Sequence, residues 1–175
     1  MKLVASVAVA GLTFSLLAPA ARAETRHVRD AHGDLNHGAD IWRGTVEHES
    51  VVRVRVKHAN LRRFPKRGAG ISIYFDTNPT LPGPEYVIGS GLNAGTDYLL
   101  GTVNGWDFGE PVECRYRLSL DFDNDVTRTR FNRNCFGAPE AVRVAIEVGA
   151  DGPGGTVVRD WLKAEQAFTP WVAQG

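Results

Sequence analysis

The chain is poor in sulfur, balanced in charge and nearly free of helical periodicity, and each shortage excludes something. With Cys114 and Cys135 as its only cysteines, it cannot build a cysteine-rich zinc site, which takes several thiolates. Lysine plus arginine and aspartate plus glutamate number 20 each, so the basic excess that a nucleic-acid partner calls for is missing. The one local basic strip, RVRVKHANLRRFPKR (53–67), alternates arginine with valine as the wet side of a strand does. After Leu17 no apolar run approaches the roughly 20 residues that span a bilayer. A nucleophile elbow is missing too: IGSGLNAG (88–95) sets Ser90 between glycines but misses the Gly-x-Ser-x-Gly pattern. No catalytic apparatus is visible, and the chain reads as a non-enzyme.

What is present begins with MKLVASVAVAGLTFSLLAPAARA (1–23): one lysine, an apolar run from Leu3 to Leu17, and Ala21 and Ala23 around Arg22. That order predicts a secretory signal peptide cut after Ala23, and with it release to the medium or periplasm and no membrane association afterwards. In an oxidising compartment two cysteines predict one disulfide, Cys114–Cys135. Residues 24–175 fit a single domain with a full core. The polar stretch 24–39 is expected as a loose N-terminal arm and 40–175 as the folded unit.

Period-two alternation dominates that unit. In VVRVRVKH, Val52, Val54, Val56 and His58 share one face, with Arg53, Arg55 and Lys57 on the other; AVRVAIEV has Val142, Val144, Ile146 and Val148 in one row. Trp42 and Val46 are expected to share a face of the first strand, ADIWRGTVEH. Further strands are expected in ISIYF, EYVIG, DYLLGTV and CRYRLSLDF, and DWLKAEQAF (160–168) alone hints at a helix. Short strands punctuated by 19 glycines and 9 prolines predict an all-β protein, an antiparallel β-sandwich. If Cys114 lies opposite Cys135, Leu118 faces Phe131, Leu120 faces Thr129 and Phe122 faces Thr127, with the turn at Asn124 and Asp125. GADGPGG (149–155) reads as a hairpin connection, since no helix follows it to cradle a phosphate.

The residues able to carry chemistry are oxygen and imidazole donors. His32 and His37 miss the helical spacing of a zinc pair; His48 and His58, near the ends of neighbouring strands, could meet across a sheet or simply close the core with a polar edge. DFDND (121–125) spaces its acids like a calcium loop, but Val126 stands where glycine is required and Asn132 where glutamate is required. A plain hairpin turn explains it. FDTNPTLPGPEY (75–86) is no EF-hand either, because prolines 79, 82 and 84 forbid the flanking helix. Asp76, Asn78 and Glu85, with Asp97 from GTDYLL as a distant partner, remain a candidate calcium site, and a stiff strand connection is the alternative.

The order of ADI (39–41) opening a strand, VRVRV, YFDTN before a Pro/Gly loop, and a glycine turn into GTDYLL resembles secreted DOMON-like and family-9-type carbohydrate-binding β-sandwiches over about Asp40 to Val103. The resemblance implies a jelly-roll-like sandwich that binds a small ligand, with calcium sometimes structural, and places Asp76, Asn78 and Asp97 at the acidic positions. The haem of part of that group does not carry over, since Met1 is the only methionine and leaves with the signal peptide. Sugar-binding members stack ligand on exposed aromatics. Trp106 in NGWDFGE is the best-placed candidate, followed by Tyr86 and Trp42; core packing is the alternative for each. The expectation is a secreted binding module for an extracellular glycan or other small ligand, or else a protein-interaction or inhibitor protein presenting the loop 76–85.

Overall fold

The computed structural model describes residues 24–33, 35 and 39–175; the expected signal peptide, and His37, lie outside the described residues. The strands are β1 (Glu24–Arg29), β2 (Ile41–His48), β3 (Val51–His58), β4 (Ala69–Asp76), β5 (Tyr86–Gly91), β6 (Tyr98–Asn104), β7 (Asp107–Pro111), β8 (Tyr116–Asp121), β9 (Val126–Asn132), β10 (Ala141–Asp151), β11 (Val157–Trp161) and β12 (Val172–Ala173). They form two antiparallel sheets. The smaller runs β1-β2-β3-β9-β8, and the larger β11-β10-β4-β5-β6-β7, with β12 also on the edge of β10. Alternation explains why these segments pair and which side they bury. Val52, Val54 and Val56 meet Val142, Val144, Ile146 and Val148 in one core, all at most 1% exposed. Each such side chain contributes about 1.5–3 kcal/mol. Phe75 of the larger sheet meets Phe131 of the smaller edge-on at 4.9 Å and Phe136 at 5.0 Å, closing one end of the sandwich.

Four expectations are corrected. The stretch 24–39 begins as a strand rather than a loose arm: β1 pairs with β2 along its whole length and buries Val28. Trp42 and Val46 do not share a face, because an irregularity between Ile41 and Arg43 turns Ile41 into the core and Trp42 outward. DWLKAEQAF is not helical. Trp161 ends β11, and the chain then turns through Lys163 and Gln166, both with positive φ (76° and 58°). Leu162 enters the core instead, against Gly44, where a Cβ would come within 2.7 Å of its Cδ2.

The fourth correction concerns register. The disulfide is present, yet Leu118 faces Thr129 and Leu120 faces Thr127, two residues from the expected pairing. Cys135 is not on the ladder. It sits in a 3-10 turn, Arg133–Phe136, that curls back after β9, so the bridge spans two more residues on that side. A shift of two preserves every face, and the turn widens to residues 122–125. Its anchor is Asp121, whose Oδ1 accepts from the Asn124 amide at 3.1 Å.

Candidate functional site

The loop 77–85 joins β4 to β5, and its oxygens are occupied by protein donors. Asp76 is fully buried and its Oδ2 takes both Arg143 Nε (2.8 Å) and Nη2 (2.6 Å). The register makes this pair, since Arg143 lies directly opposite Asp76. The other carboxylate oxygen accepts from the Asn78 amide at 3.3 Å. Asn78 Oδ1 accepts from Thr80 N and Oγ1 at 3.0 and 2.7 Å, and Glu85 Oε2 from Thr77 N and Oγ1 at 2.7 and 3.0 Å. These bonds tie the loop at its base while leaving its tip exposed, with Leu81 at 53%.

Asp97 does not approach this cluster. It precedes Tyr98, which faces Ser90, which faces Ile71; Asp76 is five residues further along β4, about 17 Å in the strand direction. The expected calcium site of Asp76, Asn78, Glu85 and Asp97 is therefore not assembled. Among the described residues no three His, Cys, Asp or Glu side chains are placed to hold a metal. Asp121 and Asp125 are likewise engaged, the first with Arg128 at 2.8 Å and the second with Lys57 at 3.2 Å. Arg128 holds the Asp121 carboxyl below its usual range.

His48 and His58 lie at opposite ends of the β2–β3 pair, His48 facing Val52 and His58 facing Ile41, so they form no metal pair. A carbonyl only accepts, so His58 Nδ1–H donates to Ala39 O at 3.1 Å; Thr127 Oγ1 then donates to Nε2 at 2.9 Å. Burial pushes this imidazole down to about 4. His48 Nδ1–H donates to Val172 O at 3.2 Å, and burial lowers it too. Both are neutral core histidines. The Ser90 hydroxyl bonds Gly91 O at 2.9 Å and Asp97 O at 3.3 Å, carbonyls that cannot serve as a general base.

The aromatics divide. Trp42 is held by Asp40, whose Oδ2 accepts its indole N–H at 2.8 Å, and stacks on His32 at 4.4 Å. Trp106, in the β6–β7 turn, lies 4.8 Å from Tyr74, 5.6 Å from Trp161 and 5.6 Å from Phe168 between ring centres. In sheet order β6 and β11 are four strands apart, so the β6–β7 hairpin curls over the outer face of the larger sheet. Beneath it burial and the Glu147 carboxylate raise the Tyr74 phenol. Trp106 is thus half-buried and clasps the hairpin to the sheet.

Tyr86 is placed differently. One side packs on Phe136 at 4.9 Å, while another opens on a groove of about 440 Å3 shared with Leu81, Pro82, Pro84, Thr102 and Gly105. The groove runs between the proline loop and the curled hairpin, where Gly105 lines it and Trp106, packed on Tyr74, does not. Sequence reasoning missed Arg143, which neutralises Asp76 and lies 4.6 Å from the rings of both Phe168 and Trp171; only the strand register brings it there. No protein-family model matches this chain, and no curated protein does.

Proposed function

We propose that the protein is a non-catalytic binding module for an extracellular glycan or other small polar ligand, held in the groove between the proline loop and the β6–β7 hairpin. The observation that carries the reading is the groove's construction. One wall holds Pro82 and Pro84 and is tied at its base by Glu85 and Asn78; the other is a hairpin clasped by Trp106; Tyr86 lines the groove between them. Walls ordered before binding reduce the entropy cost of capture, and a tyrosine flank suits the amphipathic face of a sugar. The disulfide fits an oxidising compartment. No ion is needed.

The test is a glycan array followed by calorimetry on any hit. Leu81→Asp and Leu81→Trp, which charge and fill the groove at an exposed position, are expected to weaken binding at least tenfold without moving the thermal midpoint. Failure of both variants to alter the affinity for a confirmed glycan overturns the site, and an array with no hit overturns the function. Leu81, exposed on a tied loop, also favours a second reading: presentation of residues 76–85 to a protein partner. Limited proteolysis separates the two, because a presented inhibitor loop forms a long-lived complex with a protease whereas a groove wall does not.

A further inference from the structure

The outer face of the smaller sheet carries a second feature, independent of that groove. Register sets Arg53 opposite Arg130, Arg130 opposite Arg117, and Arg55 opposite Arg128. Like charges directly opposite on neighbouring strands are destabilising. A chain with as many acids as bases has the means to interleave them, and at the edges it does: Arg53 meets Glu49 at 3.3 Å, Arg128 meets Asp121 and Lys57 meets Asp125. In the middle it does not. Arg55, Arg117 and Arg130 are exposed, and none has a carboxylate within ion-pair distance among the described residues.

These arginines, with the paired Arg53 and Arg128, line a trough of about 370 Å3 whose one carboxylate, Glu47, lies 3.8 Å from Arg53. A second depression, about 480 Å3, shares Arg117 and Arg130 with it and continues past Arg115 to Tyr98 and Tyr116 at the margin of the sandwich. The combined path crosses three strands and ends at a tyrosine 37% exposed. The backbone positions that bear these arginines recur about 4.8 Å apart across strands and about 7 Å apart along them. That periodicity suits an extended chain bearing an anion on each repeat.

We propose that this face binds an acidic polysaccharide, one carrying uronate or sulfate groups. Arginine's planar fork pairs with such oxyanions in a bidentate manner, and unpaired arginines leave donors free for it. Single-stranded nucleic acid is served by aromatics interleaved with the cations, and here Tyr98 and Tyr116 stand only at the end of the path. The oxidising compartment that the disulfide fits is also one in which acidic polysaccharides are met as polyanions.

The test uses the full chain with heparin and polygalacturonate as probes, neutral dextran as a blank, and duplex DNA and phosphatidylglycerol vesicles as competing polyanions, titrated at low and high salt. The variant Arg55→Gln/Arg117→Gln/Arg130→Gln is expected to lose polysaccharide affinity roughly tenfold to a hundredfold and to show a shallower salt dependence. Because it removes like-charge contacts, it folds at least as well as the parent. A charge-matched control, Arg62→Gln/Lys66→Gln/Arg67→Gln, keeps its affinity. Equal loss in both variants means generic charge attraction and overturns the proposal, as does no binding of either polysaccharide at low salt. DNA or vesicles bound as tightly, with the same sensitivity to the first variant, overturn it in favour of another polyanion. Dextran binding that survives the first variant belongs to the groove beside Tyr86 and leaves this inference to the heparin arm.

Discussion

Arg143 and Arg130 both project from the outer faces of antiparallel sheets, but their neighbours differ. On the larger sheet Arg143 faces Asp76 in register, Arg159 is paired with Glu147, and Phe168 and Trp171 close over Arg143. On the smaller sheet Arg130 faces two further arginines. The first arrangement uses charge to close a structure, and the second leaves charge available. The comparison predicts opposite responses to the same kind of substitution.

The largest effect is expected at Arg143. Arg143→Met leaves the Asp76 carboxylate buried without its cation, a class of change that costs about 3–5 kcal/mol. Urea denaturation measures it, and the double variant Asp76→Asn/Arg143→Met is expected to recover most of the loss. If the single variant is as stable as the parent, the pair is not structural and the contrast between faces disappears.

Two predictions concern how the sheet bearing the free arginines is held. Replacing Cys114 and Cys135 by alanine releases a bridge across a sequence separation of 21, a loss of about 3 kcal/mol in the loop-closure account. His58, at the end of β3, supplies a pH dependence. Its imidazole is pushed from 6.5 to about 4 by burial, so the unfolded chain takes up a proton first as pH falls. Stability is full above about 6.5 and declines between about 6.5 and 4, by about 3 kcal/mol in all. His48 shifts in the same direction and adds to the slope. His58→Asn, which does not titrate, is expected to flatten most of that decline; an unchanged profile would place the proton elsewhere.

The sandwich was legible because alternation is a local signal. Val52 to His58 and Val142 to Val148 each bury the face their residue types select. The bulge at Trp42 and the two-residue register difference in the β8–β9 hairpin were not legible, because they depend on where a 3-10 turn puts Cys135 and on which of two neighbouring residues the core accepts. The calcium expectation failed for a related reason. Oxygen donors at suggestive spacing say nothing of the cation that strand pairing sets opposite them, and Arg143 lies 67 residues from Asp76 in sequence. The arginine face did leave a trace, since Arg53/Arg55, Arg115/Arg117 and Arg128/Arg130 repeat one R-x-R spacing. Taken one strand at a time, each is only a solvated edge; their alignment needs the pairing.

The smallest expected effect is the most discriminating. Arg55→Gln/Arg117→Gln/Arg130→Gln should stabilise the protein by about 0.5–1 kcal/mol at low salt, since cross-strand like-charge pairs are unfavourable by amounts of that order. The gain should fade as salt rises, because the screening length shrinks from about 10 Å at 0.1 M to about 3 Å at 1 M. Urea midpoints at the two salt concentrations measure both. A destabilised variant would mean that these arginines hold the face together as Arg143 holds its own, and the distinction between the sheets would collapse. Higher stability alongside lost heparin binding would instead mark a surface whose charge opposes folding and serves recognition.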